Sequence, residues 1–109
     1  MNDTTTTTGG TTMTDLMSGL DDVKNRTEEA LRATEADAGA SVVTVAVVRE
    51  FDAKAVKGSA ANDRDAVIEL EQAGDSAKAA AEADPGLGAT AREAVLAAHL
   101  AICILKTTV

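Results

Sequence analysis

The chain has 109 residues, of which 45% are hydrophobic, and it carries a formal net charge of -8. A chain of this length has room for one domain with a single core, and a surface of that sign repels the phosphate backbone on which nucleic-acid binding depends. Its apolar runs are too short to span a membrane, and its single cysteine, together with the lack of a secretory signal pattern, predicts a cytoplasmic protein without an internal disulfide.

The N-terminal segment is rich in Thr and Gly and too poor in apolar residues to offset the entropy lost on ordering. We therefore expect residues 1–13 to form a disordered tail and residues 14–109 to form a single helical domain. Apolar and small residues recur at helical spacing from Leu16 to Thr34, with Thr14 placed as a helix cap. This pattern predicts an amphipathic first helix that ends near Gly39.

The next segment, residues 40–57, contains the β-branched run SVVTVAVV, which favours a strand by propensity alone. No second run of this kind is present to pair with such a strand, and a helix would place several apolar side chains on one face, namely Val43, Val47, Val48, Phe51 and Ala55. We predict a second helix, with a strand over 41–48 as the alternative. Gly58 and Ser59 are expected to end this helix, and Asn62 to cap the next one.

A third helix is predicted over residues 63–84, with a seam of small and apolar residues at Val67, Leu70, Ala73 or Gly74, Ala77 and Ala81. Pro85 and Gly86 stop it, and Thr90 can cap a fourth helix over 91–106. Because the fourth helix is apolar nearly all round, we expect it to form the buried centre of the domain. The fold class predicted is an all-α antiparallel four-helix bundle, and no internal repeat is apparent.

The segment KGSAAN, residues 57–62, resembles the signature of histidine phosphotransfer domains. In that family the signature lies on a helix of a four-helix bundle, and an exposed histidine accepts a phosphoryl group beside a partner receiver domain. Lys57 and Gly58 match the family, but Lys54 stands in the position of the reactive histidine. Because an ammonium group does not relay phosphate at neutral pH, the resemblance implies a docking domain without phosphotransfer activity, with Asn62 also on its surface. The plain structural interpretation is a helix end followed by a helix cap.

Arg92 and His99 are two helical turns apart, and this spacing resembles the loose arginine and histidine motif of the small all-helical HEPN ribonucleases. The resemblance implies that Arg92 would hold the scissile phosphate and that His99 would assist proton transfer. The negative net charge opposes RNA binding. The alternative is that Arg92 lies on the surface and that His99 is hydrogen-bonded at the edge of the bundle.

His99 and Cys103 lie four residues apart and could both face a soft metal ion. Two ligands do not make a tetrahedral site, although carboxylates or a second subunit could complete one. A buried cysteine that packs as a small apolar residue is the commoner case. We therefore expect neither a metal nor another cofactor.

The strongest charge feature is an acidic patch consisting of Asp63, Asp65, Glu69, Glu71 and Asp75. It is either a solvated face, which would suit a salt-adapted protein, or a docking face for a basic partner. The sequence as a whole predicts a small non-enzymatic protein that works by protein–protein contact, including self-association through its Ala-rich helix faces. Its interaction surface is expected in the acidic patch and along Lys54 to Asn62.

Overall fold

The computed structural model describes the backbone of residues 13–108 and the side chains of residues 15–108. This part of the chain contains no strand and forms four helices, α1 (Met13–Glu35), α2 (Val42–Ala61), α3 (Arg64–Ala83) and α4 (Ala89–Thr108). The predicted all-α class is confirmed, and the alternative of a strand over 41–48 is wrong. Of the predicted tail, residues 1–12 lie outside the described range. None of these four helices is both long and apolar enough to cross a membrane.

The helices form an antiparallel bundle in which α1 and α3 each pack against both α2 and α4. Each helix buries a row of residues spaced alternately three and four apart, the spacing of coiled-coil-like packing in helix bundles. The rows are Leu20, Val23, Thr27, Ala30 and Thr34 in α1, Thr44, Val48, Phe51, Ala55 and Gly58 in α2, Val67, Leu70, Gly74, Ala77 and Ala81 in α3, and Ala91, Val95, Ala98, Ile102 and Leu105 in α4. Burial of such a row stabilises α2 as a helix in spite of its β-branched residues.

The core is built mainly from small side chains, and Phe51 is its largest fully buried residue. The Phe51 ring lies against Gly74 of the neighbouring helix, where a Cβ atom would be 3.1 Å from the ring Cζ and 3.3 Å from Cγ2 of Ile102. The predicted seam of α3 therefore runs through Gly74, while Ala73 is only partly buried. A glycine at this position lets the one aromatic ring fit between helices that are otherwise close together.

The second helix continues past the point where the sequence predicts its end. Gly58 and Ser59 lie within α2, which ends at Ala61 because Asn62 adopts a left-handed conformation (φ 56°) and donates its backbone N–H to the carbonyl of Gly58. Asn tolerates that conformation better than most residues, so Asn62 caps the C-terminus of α2. The prediction that it caps the next helix is wrong, since Asp63 accepts the N–H of Ala66 as the N-cap of α3.

Three further predictions about the helices need correction. The fourth helix is not the buried centre, because it occupies one corner of the bundle and keeps an outward face exposed. Val43, predicted to face the core, is 67% exposed because Thr44 takes the buried position at that turn. Thr14 and Thr90, the predicted caps, lie inside α1 and α4, which therefore begin slightly earlier than expected.

Candidate functional site

Two aspartates connect the loops at one end of the bundle, where α1 leads into α2 and α3 leads into α4. Asp37 accepts a hydrogen bond from the N–H two residues ahead in its own loop (2.8 Å) and another from the N–H of Gly88 in the opposite loop (2.7 Å). Asp84 makes the reciprocal pair, with the N–H two residues ahead (3.1 Å) and with the N–H of Ser41 in the opposite loop (2.8 Å). The two carboxylates thereby hold the loops together.

Asp84 is the more deeply placed of the two aspartates and is 7% exposed. Its carboxylate also accepts the hydroxyl of buried Thr44 at 2.7 Å. The hydrogen bond from the Ser41 backbone, followed by that from Thr44, lowers the pKa of the Asp84 carboxyl below its usual value. Ser41 itself caps α2 by accepting the N–H of Thr44 (3.1 Å), so this corner joins a helix start to the opposite loop.

Gly39 and Gly86 bring the two loops into direct backbone contact. A Cβ atom on Gly39 would overlap the carbonyl oxygen of Gly86, and a Cβ atom on Gly86 would overlap the carbonyl oxygen of Gly39. Only glycine permits an approach of this kind without moving a loop. The reciprocal contacts give this end of the molecule an approximate twofold symmetry.

The same symmetry extends through the whole bundle and is visible in the sequence as the pair EADAG (35–39) and EADPG (82–86). Asp37 and Asp84 are separated by a fixed number of residues along the chain. Adding this number to the residue numbers of the buried row in α1 gives the buried row of α3, and adding it to those in α2 gives the buried row of α4. The α1–α2 and α3–α4 hairpins are therefore repeats of one unit. The expectation of no internal repeat is wrong, because outside this short motif the repeats share burial pattern more than residue identity.

Most of the predicted interaction surface lines a groove between α2 and α3, which we call the charged groove. Its lining residues are Lys54, Lys57, Gly58, Ala61, Asp63, Asp65, Ala66 and Glu69. The Nζ of Lys54 lies 3.7 Å from a Glu69 oxygen and 3.9 Å from one of Glu50, while Lys57 is exposed. Gly58 adds little surface to the groove, since it is buried beside Ala66.

The symmetry-related groove, between α1 and α4, is apolar along most of its floor, and we call it the apolar groove. It has a volume of about 340 Å³ and is lined by Gly19, Asp22, Arg26, Ala97, Leu100, Ala101, Ile104, Leu105 and Thr108. Leu100 is 58% exposed and Ile104 is 55% exposed. Two large aliphatic side chains thus face solvent side by side, one turn apart on α4.

The two grooves differ at equivalent positions of the repeat. Where the apolar groove has Ile104 and Ala101, the charged groove has Lys57 and Lys54. Leu100 corresponds in the same way to Ala53. In the sequence, the signal for the apolar groove is the apolar outer face of the fourth helix, which by itself predicts burial.

The structure divides the predicted acidic patch into two parts. Asp63, Asp65 and Glu69 line the charged groove, whereas Glu71 and Asp75 lie on the side of α3 that faces α4. There Glu71 accepts a hydrogen bond from Lys106 at 2.8 Å, which raises the pKa of the Lys106 ammonium. The patch is therefore not one continuous acidic face, and several of its members pair within the chain.

Asp75, His99 and Cys103 come together on the seam between α3 and α4. The Nε2 of His99 lies 2.8 Å from an oxygen of Asp75 and 3.4 Å from the Sγ of Cys103. Partial burial, and then the carboxylates of Glu71 and Asp75, raise the pKa of the Cys103 thiol. His99 is hydrogen-bonded at the bundle edge, as the structural alternative for this residue predicts.

Arg92 is bound at the loop end of the bundle. Its guanidinium donates to the backbone carbonyls of Leu87 (2.9 Å) and Asp84 (3.3 Å), while His99 is paired with Asp75 on α3. The two residues of the ribonuclease-like motif thus have separate partners. No family model, curated protein or solved structure matches this chain.

Proposed function

We propose that this chain is a small protein–protein contact module of the cytoplasm, not an enzyme, and that it self-associates through the apolar groove. The observation that carries the proposal is that Leu100 and Ile104 are exposed side by side in one groove of a protein with a net charge of -8. Exposed apolar clusters of this kind are typical of sites that another surface covers. Burying both side chains would stabilise a complex by a few kcal/mol at about 25 cal/mol per Å² of apolar surface.

A second copy of the chain is the occupant that the charges of the groove favour. The rim carries Asp22 and Arg26, which form an ion pair with each other at 3.0 Å. In a twofold dimer the same patch is used twice, so Arg26 of one copy can approach Asp22 of the other while the aliphatic side chains meet at the centre. The patch is thus complementary to itself in both polarity and charge.

The net charge of -8 on each copy sets the salt dependence of such a dimer. Two copies repel each other at long range, and salt screens that repulsion within about 10 Å at 0.1 M ionic strength. Self-association is therefore expected to strengthen as salt is added. A basic partner bound at the acidic side chains would show the opposite dependence, because salt weakens attraction between opposite charges.

The test is sedimentation equilibrium of the wild-type chain and of the double variant Leu100→Ala, Ile104→Lys. These substitutions introduce the residues that the other hairpin has at the equivalent positions, Ala53 and Lys57, so the bundle is expected to tolerate them. We expect the wild-type chain to dimerise and the variant to remain a monomer with an unchanged circular dichroism spectrum. Val43→Ser, which removes an exposed valine elsewhere on the surface, is the matched control and is expected to leave dimerisation intact.

A second candidate function is docking of a receiver domain at the charged groove, as the resemblance to phosphotransfer domains implies. It is supported by the unbroken course of α2 through Gly58, which keeps half-buried Lys54 and exposed Lys57 one turn apart on the same helix beside the groove. Binding of purified receiver domains, abolished by Lys57→Glu and unaffected by the Leu100→Ala, Ile104→Lys variant, would support it. A failure of all receivers tested to bind would argue against it.

A further inference from the structure

The cluster formed by Asp75, His99 and Cys103 brings three different metal-ligating groups together from two helices. Their ligand atoms all lie within 4.8 Å of one another. His99 and Cys103 are one turn apart on α4, and Asp75 reaches them from α3, which is why the sequence alone offers only two of the three ligands. This arrangement is compact enough for one ion to contact all three groups.

The distances between the ligand atoms suit a tetrahedrally coordinated ion after a small movement of the Asp75 side chain. Zinc bonds of about 2.0 Å to nitrogen or oxygen and about 2.3 Å to sulfur imply tetrahedral ligand separations of roughly 3.3–3.5 Å. The observed Cys103 to His99 distance of 3.4 Å lies in that range, and the His99 to Asp75 distance of 2.8 Å is that of a hydrogen bond which an ion would open slightly. Asp75 is 62% exposed, so its side chain has room to make that adjustment.

The identity of the donors favours zinc over the hard cations. Magnesium and calcium take oxygen ligands almost exclusively, whereas a thiolate and an imidazole select zinc and its soft neighbours. Three protein ligands with a fourth position open to water are typical of zinc sites that exchange a ligand. On binding, the thiol of Cys103 would release its proton to solvent and coordinate as the thiolate.

We infer that the chain binds Zn²⁺ through Asp75, His99 and Cys103, with the fourth coordination position facing solvent. The ion would link α3 to α4 through side chains alone and would leave the apolar groove, on the other side of α4, unobstructed. The site belongs to the second hairpin only, since the first hairpin has Val56 in the position equivalent to Cys103. This inference is independent of self-association, because no ligand lines the apolar groove.

The experiment uses the full chain without an affinity tag, titrated with Co²⁺ as a spectroscopic probe and then with Zn²⁺ by calorimetry. We expect thiolate-to-cobalt charge-transfer absorption together with the visible bands of a four-coordinate ion, and displacement of Co²⁺ by Zn²⁺ at one ion per chain. Loss of an outer-shell partner of a metal site already weakens binding by roughly 10- to 100-fold, so loss of a ligand is expected to weaken it by at least about 100-fold.

The variants make the inference falsifiable. Cys103→Val introduces the residue that the first hairpin already contains, so it is expected to fold and to lose the charge-transfer band. Asp75→Asn is expected to weaken Zn²⁺ binding, while Glu69→Gln, which alters a carboxylate of α3 that pairs with Lys54 beside the charged groove, serves as the control that leaves it unchanged. Zinc affinity that is equal in wild type and Cys103→Val, or a cobalt spectrum without a thiolate band, would overturn the assignment and indicate adventitious binding to surface carboxylates.

Discussion

The aspartates of the two loops allow one sharp prediction, because the repeat places the same motif in two environments. Replacing Asp84 with alanine removes an acceptor for three hydrogen bonds, from the N–H of Ser41, the hydroxyl of Thr44 and the N–H of Gly86. Replacing Asp37 removes two, from the N–H groups of its own loop and of the opposite loop. The Asp84 carboxylate is also the more buried of the two.

The expected magnitudes follow from these contacts. A hydrogen bond to a charged group contributes about 1.5–3 kcal/mol, which would give an upper limit of about 9 kcal/mol for Asp84 if every donor stayed unpaired. Ser41 is exposed, and water can satisfy its N–H once the carboxylate is gone, so we expect Asp84→Ala to destabilise the bundle by about 3 kcal/mol. For Asp37→Ala, with fewer and more exposed partners, we expect about 1 kcal/mol.

Urea denaturation followed by circular dichroism measures both values. In a domain of this size, a loss of about 3 kcal/mol corresponds to a fall in Tm of roughly 12–24 °C. Asp84→Asn, which retains the shape and one acceptor oxygen, is the control and is expected to fall between wild type and Asp84→Ala. Equal losses for Asp37→Ala and Asp84→Ala would refute the argument, since they would show that neither the burial of Asp84 nor its bond to Thr44 contributes.

Three other predictions concern glycine substitutions and the dependence of stability on pH. Gly58→Ala is expected to raise the free energy of unfolding by up to about 1 kcal/mol, because a Cβ atom there meets Ala66 at an ordinary contact distance of 3.5 Å. Gly74→Ala is expected to lower it by about 1 kcal/mol, because a Cβ atom there lies only 3.1 Å from the Phe51 ring. Changes of the same sign for the two variants in urea denaturation would contradict this prediction. Gly39→Ala is expected to destabilise the loop end by at least about 2 kcal/mol because its methyl group overlaps a carbonyl, and a wild-type Tm would show that the loops are not in contact. Because its hydrogen bonds lower the pKa of Asp84, this carboxylate contributes stability that is fully present above its usual pKa of 3.8 and is lost as the pH falls through the pKa of the folded state. Asp84→Asn is therefore expected to flatten the decline in stability below pH 3.8. An unaltered slope of stability against pH would count against this prediction.

The helical architecture could be predicted from the sequence because most of its signals are local. Apolar spacing in the first and third helices, the stop at Pro85 and the shortage of strand-like runs each point to helices. The second helix was harder, since Val-rich segments favour strands and only tertiary packing of Thr44, Val48 and Phe51 decides the outcome. Spacing alone also could not distinguish Val43 from Thr44 as the buried residue.

The candidate sites depend on contacts between residues far apart in the chain, and this is why the sequence showed only fragments of them. The sequence places His99 and Cys103 one helical turn apart, but Asp75 joins them only because α3 packs beside α4. The apolar character of α4 predicts burial on all sides, because hydrophobicity does not reveal how many sides of a helix have neighbours. The repeated EADxG motif is the one signal in the sequence that indicates two equivalent hairpins and hence two comparable grooves.

A dilution series followed by methyl NMR tests self-association through the apolar groove most directly. We expect the methyl resonances of Leu100 and Ile104 to shift with protein concentration, more strongly at higher salt, while those of Val56 and Ile68, which are also exposed, stay in place. Resonances that are independent of concentration at all four residues, or shifts confined to Val56 and Ile68, would contradict it.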